Sequence, residues 1–157
     1  MPTDRQILIA LHHIPGLGPQ KWLKLQDHIQ SPSELLEWPA SKLNQALGAN
    51  GGQLFSEWRS GTAGWLRARL DALDVWLQQE AHCVVTQLDE DLYPPLLKEA
   101  WGPLLLFVEG DPRLLSLPQI AVVGARKATA AGVKTAKHFS RALAAGGYAI
   151  TSGFGTN

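Results

Sequence analysis

The sequence predicts a mixed α/β protein: an all-helical N-terminal module followed by the opening of a parallel sheet. Three observations predict it. Apolar residues recur at helical spacing from residue 1 to about 80, short β-type runs replace them after His82, and residues 119–152 read strand, helix, strand. At 157 residues, with 45% apolar and 18% charged, the chain can bury a core and does not read as disordered. The boundaries expected are 1–80 for the helical module, 81–118 for a connecting segment with lead-in strands, and 119–157 for the start of an α/β domain.

Thr3 or Asp4 caps a first helix through Ile7, Leu8 and Leu11, and Pro15-Gly16 stops it. Gly18 and Pro19 open a second, with Trp22, Leu25 and Ile29 on one face. Ser31-Pro32-Ser33-Glu34 is a capping box for a third helix that Pro39 ends, and Ser41 is read as the cap of a fourth. Gly51-Gly52 reads as a break. A longer helix from about Thr62 to Glu80 then carries the stripe Leu66, Leu70, Leu73 and Leu77. Five of the six tryptophans fall in this module, at core spacing.

Beyond His82 the runs are those of strands: 83–88, 104–108, 119–123 and 148–152. Thr129 caps a helix through Ala136, Phe139 and Leu143 that Gly146-Gly147 terminates. Strand, helix, strand over Gln119–Ser152 fits one βαβ crossover, hence two parallel strands of a Rossmann-like sheet. Because such sheets need more strands, the sheet is expected to be truncated at the end of the chain, with an exposed apolar face.

Several functional classes are excluded by composition. No apolar run approaches the roughly 18 residues of a membrane span, and the N-terminus lacks a secretory pattern, so a cytoplasmic protein is expected. The single cysteine, Cys83, cannot form an internal disulfide or a multi-thiolate zinc site and reads as a small core residue. His12 and His13 point apart on a helix, and Asp89-Glu90-Asp91 reads as a solvated turn, so no metal is assigned. No nucleophile elbow, Walker loop or other enzyme signature occurs, and no catalytic residue or cofactor is expected. Lys and Arg equal Asp and Glu at fourteen each, yet residues 112–157 hold six basic residues and no acidic one.

That basic segment contains the two strand ends at which open α/β sheets bind ligands. Gly124-Ala125-Arg126-Lys127 follows one strand and leads to Thr129; Ser152-Gly153 follows the other. A glycine after a strand lets backbone N–H groups approach an anion, the next helix start adds partial positive charge, and Arg126 can fork onto phosphate oxygens. The same turn also serves purely structural ends. A second candidate is Ile14-Pro15-Gly16-Leu17-Gly18-Pro19 with Lys21, a helix-hairpin-helix pattern whose glycines let the backbone reach a nucleic-acid phosphate, or else simply a tight helix connection.

The ordered set of Tyr93-Pro94 with Leu96, Pro103–Gly110 (PLLLFVEG), Ile120–Arg126 (IAVVGAR) with Thr129 and Gly132, and Ile150–Gly153 (ITSG) resembles the DNA processing protein A family, also called DprA or Smf. The resemblance implies a SAM/helix-hairpin-helix-like module followed by a Rossmann-like domain that binds single-stranded DNA. It further implies protection of incoming DNA in natural transformation, loading of the RecA recombinase, a homodimer, and no enzymatic activity. Gly124 and Arg126 match the family's G-[ST]-R loop, with Ala125 in place of Ser or Thr; Ser152 and Gly153 match the start of its S-G-x-A-x-G-I-D loop. Gly155-Thr156-Asn157 depart from that second loop, so the second phosphate loop and the dimer and RecA surfaces are expected to be missing. The runner-up is a lysine-decarboxylase-like, cytokinin-activating phosphoribohydrolase, which shares G-[ST]-R but also carries P-G-G-x-G-T-x-x-E, a motif this sequence lacks.

Overall fold

In the computed structural model, which describes residues 1–99 and 102–153, helix α1 (Asp4–His12) starts where its capping box places it: Gln6 N donates to the Thr3 hydroxyl and Thr3 N to the Gln6 side chain. Its apolar face, Ile7, Leu8 and Leu11, is fully buried. Helix α2 (Pro19–Gln26) follows the Gly16 turn, and a single 3-10 turn over Pro32–Leu36 takes the place of the expected third helix, its capping box intact. The six residues between Pro32 and Pro39 leave no room for a longer helix.

Helices α3 (Ala40–Leu47) and α4 (Ala49–Arg59) correct the sequence reading at the glycines. The break is Gly48, at φ +84°, and Gly51 and Gly52 lie inside α4. A Cβ on Gly52 would stand 2.6 Å from the Asn44 backbone nitrogen and 2.7 Å from its Cα, so the glycines are there for close helix approach. Ser41 is inside α3 rather than its cap; Pro39 holds that position. Helix α5 (Gly64–Leu77) is shorter than expected at both ends, with Leu66 and Leu73 buried.

Strands β1 (His82–Thr86) and β2 (Leu105–Glu109) pair antiparallel, Val84 opposite Phe107, and enclose the short helix α6 (Pro95–Glu99). They form a two-stranded sheet of their own, and Val84 and Leu105 pack with Leu73 of α5. Leu104 joins the main core of Ile7, Leu8, Trp22, Leu35 and Phe55. Cys83 is only half-buried on β1.

The lead-in is held by polar contacts that the sequence assigns to solvent. Asp89 accepts from the backbone N–H and the hydroxyl of the fully buried Thr86 (2.7 and 3.0 Å) and from Arg5 Nη1 at both oxygens (2.9 Å), while Arg5 Nη2 donates to the Val84 carbonyl. Trp22 Nε1 donates to Gln87 (2.8 Å), whose amide donates to the carbonyls of Gly102 and Pro103. The buried Tyr93 hydroxyl donates to Pro103 O at 2.6 Å, and a Cβ on Gly102 would meet that hydroxyl at 2.5 Å. Tyr93 and Pro103 of the family pattern therefore hold the connection between β1 and β2.

The chain divides into two compact units, Met1–Asp111 and Pro112–Asn157, hereafter unit 1 and unit 2. Unit 2 contains strand β3 (Gln119–Ala121), helix α7 (Ala130–Ala145) and strand β4 (Ala149–Thr151). β3 and β4 pair in parallel, Ile120 opposite Ile150, as a βαβ crossover requires. Gly146 caps α7 and Gly147, at φ +90°, turns the chain into β4.

Candidate nucleic-acid interface

Parallel pairing brings the two candidate loops to the same end of the β3–β4 sheet. Val122 N donates to Thr151 O (2.9 Å), extending the ladder one residue beyond β3, and Gly124 follows on one strand as Ser152 follows on the other. Thr129 is extended (φ −70°, ψ 157°), and its hydroxyl accepts from Gly132 N at 3.1 Å. The cap fixes where α7 begins, so that its first-turn N–H groups and positive dipole end sit beside the Gly124 exit.

An open cavity of about 830 Å³ lies at this mouth. Of the residues proposed from sequence, Gly124, Ala125, Lys127, Thr129 and Ser152 line it, while the exposed Arg126 and Gly153 lie outside the lining. Lys137 and Arg141 also line it, one helical turn apart on α7, with Ser140 between them. The sequence reading counts these two cations but does not place them; their i, i+4 spacing, in register with Val133, is the signal that puts both on the cavity face. Residues 112–157 contain no Asp or Glu, so three cations line this space with no acidic side chain of unit 2 beside them. Such a mouth suits an oxyanion held by backbone N–H groups and by Lys and Arg heads.

The second candidate lies in unit 1. Gly16 takes φ +80°, a left-handed turn that only glycine adopts without strain. Gly18 is the N-cap of α2, and Lys21 Nζ reaches back to within 3.8 Å of the position a Gly16 Cβ would occupy. Elsewhere in unit 1 the His12 and His13 rings meet edge to face at 5.3 Å, and His13 Nδ1 bonds the Ile9 carbonyl. Among the described residues no group of three His, Cys, Asp or Glu is placed to hold a metal ion. No described helix is long and apolar enough to cross a membrane.

A parallel βαβ unit thus brings a glycine exit from its first strand, a capped helix start and cations of the helix face to one mouth. Residues 84–156, from β1 onward, match the family model described as DNA recombination-mediator protein A. Over those residues the chain is similar to the DNA processing protein A (DprA/Smf) family. Protein Smf of Escherichia coli strain K12 is 38% identical over 88 residues, which cover 55% of this chain and 23% of that protein. The chain thus matches less than a quarter of that relative's length. No solved structure matches it.

Proposed function

We propose that the chain is a non-enzymatic, cytoplasmic DNA-binding protein of DNA processing and recombination, with a helix-hairpin-helix or SAM-like module ahead of a Rossmann-like unit. Single-stranded DNA is its ligand. In this reading it shields incoming DNA during natural transformation and helps load RecA, and its family's homodimer brings two such mouths together. The observation that carries the reading is the convergence of Gly124, the Thr129-capped start of α7, and Lys127, Lys137 and Arg141 on one cavity in a segment without acid. Phosphates of the strand sit against the N–H groups and these cations, and Arg126 reaches a neighbouring phosphate from the loop tip. The hairpin at Gly16, Gly18 and Lys21 adds a weaker contact.

Fluorescence anisotropy of a labelled thymidine oligonucleotide across a salt series tests this. Replacing Lys127, Lys137 and Arg141 together by Gln removes three phosphate contacts and flattens the log–log salt slope by about 2, since each contact with a single strand contributes about 0.7. Arg126→Ala lowers affinity in the same direction. Unchanged affinity and slope in both variants contradict the site, and release of base from a nucleoside monophosphate by the unaltered protein returns the phosphoribohydrolase reading.

A further inference from the structure

Unit 1 is acidic overall, with eight basic residues against fourteen acidic ones over 1–111, yet the charged side chains that line one groove on it, Lys21, Lys24 and Lys42, are all basic. Helix α2 contributes Lys21, Lys24 and Leu25, His28 follows two residues past its end, and α3 contributes Lys42, Gln45 and Ala46. The groove encloses about 430 Å³, and no Asp or Glu is among its lining residues. Asp27 and Glu37, the neighbours of His28 and Trp38, are not part of the wall. None of the three lysines makes a salt bridge among the described residues.

Lys42 lies in the first turn of α3, where the helix dipole disfavours a cation. It is held there over the ring of the nearly buried Trp38, its ammonium 3.6 Å from the ring centroid. Lys21 and Lys24, one turn apart on α2, face it across the groove. Three like charges converging on a concave wall with an apolar floor, Leu25 and Trp38, are relieved by a polyanion whose charges are spaced along a chain.

We propose that this α2–α3 groove is a second nucleic-acid site, holding the phosphate backbone of a single strand on Lys21, Lys24 and Lys42, separate from the cavity of unit 2. The groove stands on its own geometry. The choice of a nucleic-acid strand over an acidic peptide rests on the function proposed above. All six tryptophans precede residue 112, so the intrinsic emission comes from unit 1 and no tryptophan belongs to the unit 2 cavity.

The test titrates the full-length protein with a thymidine oligonucleotide of about 20 nucleotides, reading tryptophan emission and the anisotropy of a labelled copy together. A phosphate that draws Lys42 off the Trp38 ring changes emission, and Trp38→Phe abolishes that change. Lys21→Gln, Lys24→Gln and Lys42→Gln combined remove the emission change and flatten the salt slope by about 2, while the triple unit 2 variant leaves the emission change in place. Circular dichroism confirms that each variant is folded. Binding seen by anisotropy with no change in emission overturns the groove and spares the unit 2 site; an emission change that survives the unit 2 variant supports the groove even if that site fails. An equal response to polyglutamate of the same charge assigns the groove to acidic proteins and overturns its nucleic-acid assignment.

Discussion

Unit 1 contains every fully buried apolar side chain among the described residues, from Ile7 and Leu8 to Tyr93 and Leu105, whereas no described residue of unit 2 is fully buried. Val123, Phe139, Leu114 and Tyr148 are exposed in unit 2. The charges differ as sharply: unit 1 carries a net −6 and unit 2 a net +6. The comparison separates two ways of holding a fold. Unit 1 rests on a packed core tied to its hairpin by hydrogen bonds; unit 2 rests on one short parallel ladder, a capped helix and two glycine turns, with a net positive charge. An anion that binds only the unit 2 cavity would stabilise unit 2 by linkage, by about 2.7 kcal/mol at a hundred times its dissociation constant.

The largest expected effect breaks unit 1. Phe55→Ala deletes a fully buried ring from the main core and costs about 3–5 kcal/mol, read as a lower urea midpoint of tryptophan emission. Hydrogen-exchange rates over residues 119–151 should not move with it; if they do, the two units are energetically one. Asp89→Ala comes next, at about 2–4 kcal/mol, because it strands the buried Thr86 donors and frees Arg5. A cost no larger than that of an ordinary surface carboxylate would show that the hub is dispensable.

Thr129→Ala sharpens the other side of the comparison. It removes the cap of α7 and costs unit 2 about 1 kcal/mol, seen as faster exchange at Gly132 and Val133 with the tryptophan transition unchanged. The smallest effect is on pH. Partial desolvation, and then the neighbouring His13, hold the His12 pKa below its ordinary 6.5. The folded chain thus binds this proton less readily than the unfolded one, so stability is complete above about pH 6.5 and falls as pH drops toward the lower folded value. His12→Gln flattens that acid limb; an unchanged urea midpoint between pH 7 and 5 in the unaltered protein would remove His12 from the account.

The caps were the most legible part of the fold. Thr3, Pro19, Thr129 and Gly146 act locally, within three or four residues, and each stands where its chemistry requires. Contacts across long separations were not legible. Gly51-Gly52 looks like a break until Asn44 is seen against it, and Asp89 looks solvated until Arg5, far away in sequence, is placed beside it. The β1–β2 pair was expected to lead into the parallel sheet, but its antiparallel register and its packing on α5 depend on where Leu73 lies in space. At the candidate site the loop residues were visible as a motif. Lys137 and Arg141 were visible only as charge, since the helix face that aims them at the cavity is fixed by how α7 meets β4.

The bond between Arg5 and Asp89 spans 84 positions of sequence. At synthesis rates of about 5–20 residues per second, the second partner is added about 4–17 s after the first. Individual helices form within about a microsecond, so α1 through α5 can take shape long before β1 and β2 exist to receive Leu73 and the guanidinium. Closure of this half of the molecule is therefore timed by the ribosome, and for those seconds its unfinished flank is the surface a chaperone would find.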